Sequence, residues 1–209
     1  MSGASASLRL ERAAEGLSLL SLEGVLVVVP WALLLGRASD APAEGVRLGL
    51  LATGVWLGYA ADRWLDGQRL GERARTPRHR FAARHARGLL VCWCAVVVAA
   101  ALVAVDRLPR ELGSRGVALA ATVGTWTVAT HLSPRWVRRL LPREVAVGVL
   151  LAFAVGLFAW SGGGWSVGRV LPLTAFAALC SLNTAAVAFL ERDEDLRLGE
   201  PSIASDWPR

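Results

Sequence analysis

The 209-residue chain contains no lysine; all 23 of its basic residues are arginine. It has three cysteines, one tyrosine and one methionine. It also lacks the alternation of apolar and polar positions that a soluble domain of this size shows along its elements. Each shortage narrows the reading. Cys92, Cys94 and Cys180 all fall inside apolar stretches. On a helix the first two point about 200° apart, so they form neither a metal clip nor a disulfide and read as packing residues. The absence of lysine reads as the bias of a GC-rich genome and carries no chemistry. Nucleic-acid binding would need the net charge of +6 on a soluble basic face, and the chain has hardly any such face. The first 16 residues are small, polar and charged, unlike a cleavable leader.

Hydrophobic residues make up 54% of the chain and come in blocks, with the charges between them. Roughly 20 apolar helical residues cross the hydrocarbon core of a bilayer. Six blocks approach that pattern: Leu17–Leu35, Leu48–Ala61, Gly88–Val105, Gly116–Thr130, Val145–Trp160 and Val170–Leu190. The second and fourth are short and need flanking residues or neighbouring helices. The sequence therefore predicts an all-α, polytopic membrane helical bundle of about six spans over residues 17–190. Residues 1–16 precede it and residues 191–209 form a tail. Arginine is unevenly shared. Six arginines (Arg37, Arg47, Arg107, Arg110, Arg115, Arg169) lie on one side and the remaining seventeen on the other. The positive-inside rule then places both termini in the cytoplasm, with the protein in the cell's inner membrane. The loop after the second block is the most charged, and its second half, Arg78 to Arg87, reads as a basic helix at the membrane surface.

Two acidic clusters end the second and sixth blocks on that cytoplasmic side. Asp62 and Asp66 are four residues apart, and so are Glu191 and Asp195. If the spans continue as helices, each pair shares a face about one turn apart. Two such pairs can jointly hold Mg²⁺, which takes one or two carboxylates plus substrate phosphates. They are equally what solvated, charge-capped helix ends look like. Asn183, inside the sixth block and eight residues before Glu191, is a polar residue that turns to a cavity or to another helix. Glu23 in the first block reaches the interface or pairs with an arginine. The loop after the fourth block carries Arg135, Arg138 and Arg139. Guanidinium forks clamp diphosphates, and positive-inside topology demands arginines there in any case.

These residues resemble the UbiA superfamily of intramembrane prenyltransferases. The Asp62-Arg63-x-x-Asp66 run is similar to the D-R-x-x-D core of chlorophyll-synthase-like members. Asp195-x-x-x-Gly199-x-x-Ser202 is similar to the end of the family's second motif, with Glu191 at its earlier acidic position, and Arg138-Arg139 to its basic loop. The resemblance implies Mg²⁺-dependent transfer of an isoprenoid from a prenyl diphosphate to a lipophilic acceptor, commonly aromatic. Asp62, Asp66, Glu191 and Asp195 would hold the metal and diphosphate. Arg63, Arg135, Arg138, Arg139 and Asn183 would contact substrate, and Tyr59 would face the allylic cation. Three departures stand out. Gly58 and Tyr59 replace the usual opening Asn and Asp, the second motif opens with Glu, and the last three of the family's nine or so spans are missing. A second subunit or homo-oligomer completing the bundle, a truncated sequence, or a related protein without catalysis acting in assembly or lipid binding would each account for them.

Overall fold

The computed structural model of the protein describes residues 16–17, 19–38, 45–70, 77–132, 141–160, 166–190 and 192. Among these residues the fold is all-α, with seven helices: α1 Glu23–Ala38, α2 Gly45–Leu70, α3 Pro77–Arg84, α4 Ala86–Arg107, α5 Arg110–Leu132, α6 Arg143–Ala159 and α7 Val167–Leu190. Every one of the six apolar blocks lies largely on a helix, and α3 falls in the stretch expected to form a basic helix. Two helices, α4 and α7, are long and apolar enough to cross a membrane, and no residue of α4 is buried. The others fall short for physical reasons. At 1.5 Å per residue, α1 and α6 span only about 24 and 26 Å against a core of about 30 Å. The helix α2 is long enough, but it carries Arg47, Asp62, Arg63, Asp66 and Arg69.

Helix ends follow local chemistry. Ser21 takes φ 60°, in the left-handed region. It ends the turn that begins at Gly16 with a Schellman closure, in which the Leu22 N–H donates to the Leu17 carbonyl (2.9 Å). The first block is thus interrupted, and α1 starts at Glu23 rather than Leu17. At the other end of the apolar run, Leu108 is extended because it precedes Pro109, and α4 stops there.

The chain forms two compact units, Met1–Pro30 with Gly49–Leu108, and Trp31–Leu48 with Pro109–Arg209. The first unit is joined by tryptophans. Trp56 Nε1 donates to the Leu20 carbonyl (2.9 Å), which the end of the preceding turn leaves open. Trp93 Nε1 on α4 donates to the Leu57 carbonyl of α2 (2.9 Å), and Trp64 Nε1 on α2 to the Ala86 carbonyl of α4 (3.0 Å). An indole in apolar surroundings is an apolar surface with one N–H that must find an acceptor, so each of these bonds fixes a helix position.

The second unit is built on an antiparallel hairpin of α6 and α7. Its contact on α6 is a stripe of small residues, Gly148, Ala152 and Gly156, all buried. The facing stripe on α7 is Leu173, Phe176 and Cys180, and Phe176 is wholly buried. Small residues let the two helix backbones approach closely. The C-terminal half of α1 closes the unit. The Trp31 and Phe176 rings lie 5.0 Å apart, and Trp160 Nε1 donates to the Leu35 carbonyl (3.2 Å). The cysteines partly depart from expectation. All are free, Cys180 packs in the hairpin, and Cys92 and Cys94 are exposed because all of α4 lies at the surface.

The glycines of the hairpin give a graded prediction. A Cβ at Gly148 would meet the Ala177 carbonyl oxygen at 2.5 Å and also strike Ser181 Oγ. A Cβ at Gly156 would meet only the flexible end of Leu173, at 2.8 Å. One at Gly124 of α5 meets nothing within 4 Å. Thermal unfolding in detergent should show Gly148→Ala losing about 1–3 kcal/mol, Gly156→Ala losing less, and Gly124→Ala losing nothing. Equal effects at the three positions would remove the hairpin contact as described.

Candidate functional site

The sequence makes the first acidic pair conditional on a helix continuing past the apolar block. It does continue: α2 runs unbroken from Gly45 to Leu70. Tyr59, Asp62, Arg63 and Asp66 therefore recur at i, i+3, i+4 and i+7 along one face. All four are half-buried. Both aspartates and Tyr59 have partners in the folded chain.

The start of α1 packs on this face. Glu23 and Arg63 form an ion pair through Oε1 and Nη2. The Arg63 side chain is only 12% exposed and that of Glu23 42%. The second oxygen of Glu23 and the other terminal nitrogen of Arg63 are buried without a hydrogen-bond partner. Beside the pair, Gly24 lies against the edge of the Tyr59 ring, where a Cβ would sit 2.5 Å from Cε2. A side chain there would force the Tyr59 ring to shift. The expectation that Glu23 pairs with an arginine is met, and the arginine is the one between the two aspartates.

Glu23, Asp62, Arg63 and Asp66 gather on this surface; Arg63 pairs with Glu23, and Asp62 and Asp66 have partners of their own. Half-buried carboxylates one turn apart repel each other unless a cation or a proton relieves them. Oxygen donors in this number suit a hard divalent cation that keeps several waters or takes phosphate oxygens as its remaining ligands. Asp62 and Asp66 are therefore the described residues on this face that could hold such an ion.

The other site residues expected from the sequence are not gathered here. Glu191, Asp195, Arg135, Arg138 and Arg139 lie outside the described residues. Asn183 is exposed on α7 and is not turned into its helix packing. The packed stripe of α7 runs through Leu173, Phe176 and Cys180 towards Thr184, and Asn183 is rotated about 100° from that last position. Sequence reasoning missed the contact of Gly24 with Tyr59 and the three indole donors. A lone tyrosine and several tryptophans within otherwise aliphatic blocks were the available signal. No family model, curated protein or solved structure matches the chain.

The Glu23–Arg63 pair is open to a double-mutant test. Arg63→Leu strands a carboxylate on an already acidic surface and should cost about 1.5–3 kcal/mol of thermal stability. Glu23→Gln keeps a neutral acceptor and should cost less. Combining the two should cost clearly less than the sum of the single changes. Strict additivity would show that the two side chains do not support each other.

Proposed function

We propose that the chain is a multi-pass inner-membrane protein of UbiA-like design, with both termini in the cytoplasm. It uses Asp62 and Asp66 to bind a prenyl diphosphate through Mg²⁺ and transfers the isoprenoid to a lipophilic, commonly aromatic acceptor. The observation that carries this reading is the pair of half-buried aspartates one turn apart on an uninterrupted helix, at the end of an apolar stretch. The membrane part is supported by α4. Val91, Val98, Leu102 and Val105 are between 59% and 86% exposed, a surface that water would not tolerate and lipid covers. The arginine distribution supports the orientation. The finer expectation of about six spans belongs to the same proposal, with the shorter helices spanning by tilt, local thinning or flanking residues.

The chemistry follows from the reaction. Breaking the C–O bond of an allylic diphosphate leaves a diphosphate anion and an allylic cation. The acceptor's carbon forms the new bond and then loses a proton. Bound Mg²⁺ would supply the charge that stabilises the leaving anion. The aspartates hold and orient the ion–diphosphate pair. Glu191 and Asp195 are proposed to complete its shell, and Arg135, Arg138 and Arg139 to neutralise the departing diphosphate.

One observation favours a second reading, a protein of the same kind without catalysis that acts in assembly or lipid binding. Tyr59 and Arg63, assigned to the cation and the substrate, are both engaged by α1 through Gly24 and Glu23.

Two measurements test the proposal. After alkaline carbonate washing the protein should stay with the bilayer; release into the supernatant would end the membrane reading. Membranes holding the wild-type chain should transfer labelled isoprenoid only with Mg²⁺ present. Asp62→Asn with Asp66→Asn should lower turnover about a hundredfold or more. Unchanged turnover would remove the diacid. Mg²⁺-dependent binding of the diphosphate with no transfer to any acceptor would favour the second reading.

A further inference from the structure

Between Glu72 and Asp106 the sequence has no acidic residue but six arginines, Arg73, Arg75, Arg78, Arg80, Arg84 and Arg87. The described part of this run is structured. Helix α3 is pinned on its apolar side: Ala82 is buried, and the bare backbone of Gly67 lets it close in, so that a Cβ there would lie 3.0 Å from Ala82 Cβ. The Trp64 bond to the Ala86 carbonyl fixes the junction between α3 and α4. At that junction the Phe81 ring and the His85 imidazole lie 4.5 Å apart. Arg80, Arg84, His85 and Arg87 are left exposed. Among the described residues no carboxylate pairs with any of these arginines.

Directly after this cluster the chain enters α4, whose surface is apolar all round. At about 33 Å it matches the hydrocarbon thickness, so its first turn lies at headgroup level. We infer that Arg80, Arg84 and Arg87 form a docking surface for anionic phospholipid headgroups, with the phosphodiester oxygens as the recognised group. This rests on the membrane part of the proposed function and is independent of the diphosphate part. Unpaired cations held at the phosphate plane have their counter-charge in the lipid, and each arginine there contributes about fivefold in affinity. Because α3 is pinned to α2 through Gly67, lipid bound on α3 also steadies the end of α2 that carries Asp62 and Asp66.

The test uses the full chain reconstituted in phosphatidylcholine bilayers. Spin-labelled phosphatidylglycerol or phosphatidylcholine is added in trace amounts, and the ratio of their association constants is read. Wild-type protein should prefer phosphatidylglycerol. The triple change Arg80→Gln, Arg84→Gln and Arg87→Gln should lower the ratio about fivefold per residue, towards parity. Replacing the same three by lysine should retain most of it. A glutamine triple as selective as wild type would overturn the inference. So would loss of the preference in millimolar inorganic phosphate, which would mark a soluble-anion site. Should the glutamine triple fail to fold, the wild-type ratio must still fall as ionic strength rises roughly tenfold, and a salt-independent ratio counts against docking. Asp62→Asn with Asp66→Asn should leave the preference intact. Its loss there would move the lipid to the diacid and overturn the docking surface, whereas release from carbonate-washed membranes would instead strike the membrane reading.

Discussion

Glu23 and Arg63 decide which way α2 faces. A guanidinium that is nearly nine-tenths covered has few partners in apolar surroundings, and leaving it alone there is costly. Glu23 at the first turn of α1 supplies the partner. With that pair made, Gly24 is brought against Tyr59, and a side chain there would have to push the ring aside. Asp62 and Asp66, on the same face of α2, are then held half-buried. Arg63, which stands between the two aspartates, pairs with Glu23, and the aspartates have partners of their own.

The two units weight the same devices differently. In the first, polar handles locate helices: three indole N–H groups each donate to a backbone carbonyl, and an ion pair adds a fourth link, whereas among the described residues the second has one such bond, from Trp160 to Leu35. In the second, Gly148, Ala152 and Gly156 let two backbones approach closely, and Leu173 and Phe176 fill the facing side. Bonds of the first kind are directional and depend on few residues. Packing of the second kind is spread over many contacts and tolerates change where the neighbour is a mobile side chain, as at Gly156. Asp62 and Asp66 lie in the unit that relies more on directional bonds.

The helices were legible in the sequence because block composition is a local property. Each of the six apolar blocks is helical, and a basic helix stands in the charged loop. The membrane-spanning character of each was less legible, since it depends on where helices stop. Ser21 breaks the first block through a left-handed turn, which a serine gives no sign of. The face shared by Asp62 and Asp66 could be read from spacing alone once α2 was continuous. Their surroundings could not, because Glu23 and Gly24 are about 40 residues away, and nothing in a single sequence pairs them with Arg63 and Tyr59. Asn183 is the opposite case. Its depth in an apolar block suggested a buried role, but one helical step of 100° separates it from Thr184 on the packed side.

Exposure and charge on α4 belong to one argument. No residue of α4 is buried, and an exposed apolar surface of this extent marks contact with lipid or with another protein. Placing it in lipid fixes the depth of everything attached to its ends. On the proposed membrane reading, Asp106 and Arg107 stand at one interface and the Arg80–Arg87 cluster at the other. The Trp64 bond to Ala86 ties the second interface to the part of α2 that carries the aspartates. On that reading the diacid shares a level with lipid phosphates, which is the depth at which a lipid-borne diphosphate would present its charge while its hydrocarbon tail stays in the bilayer.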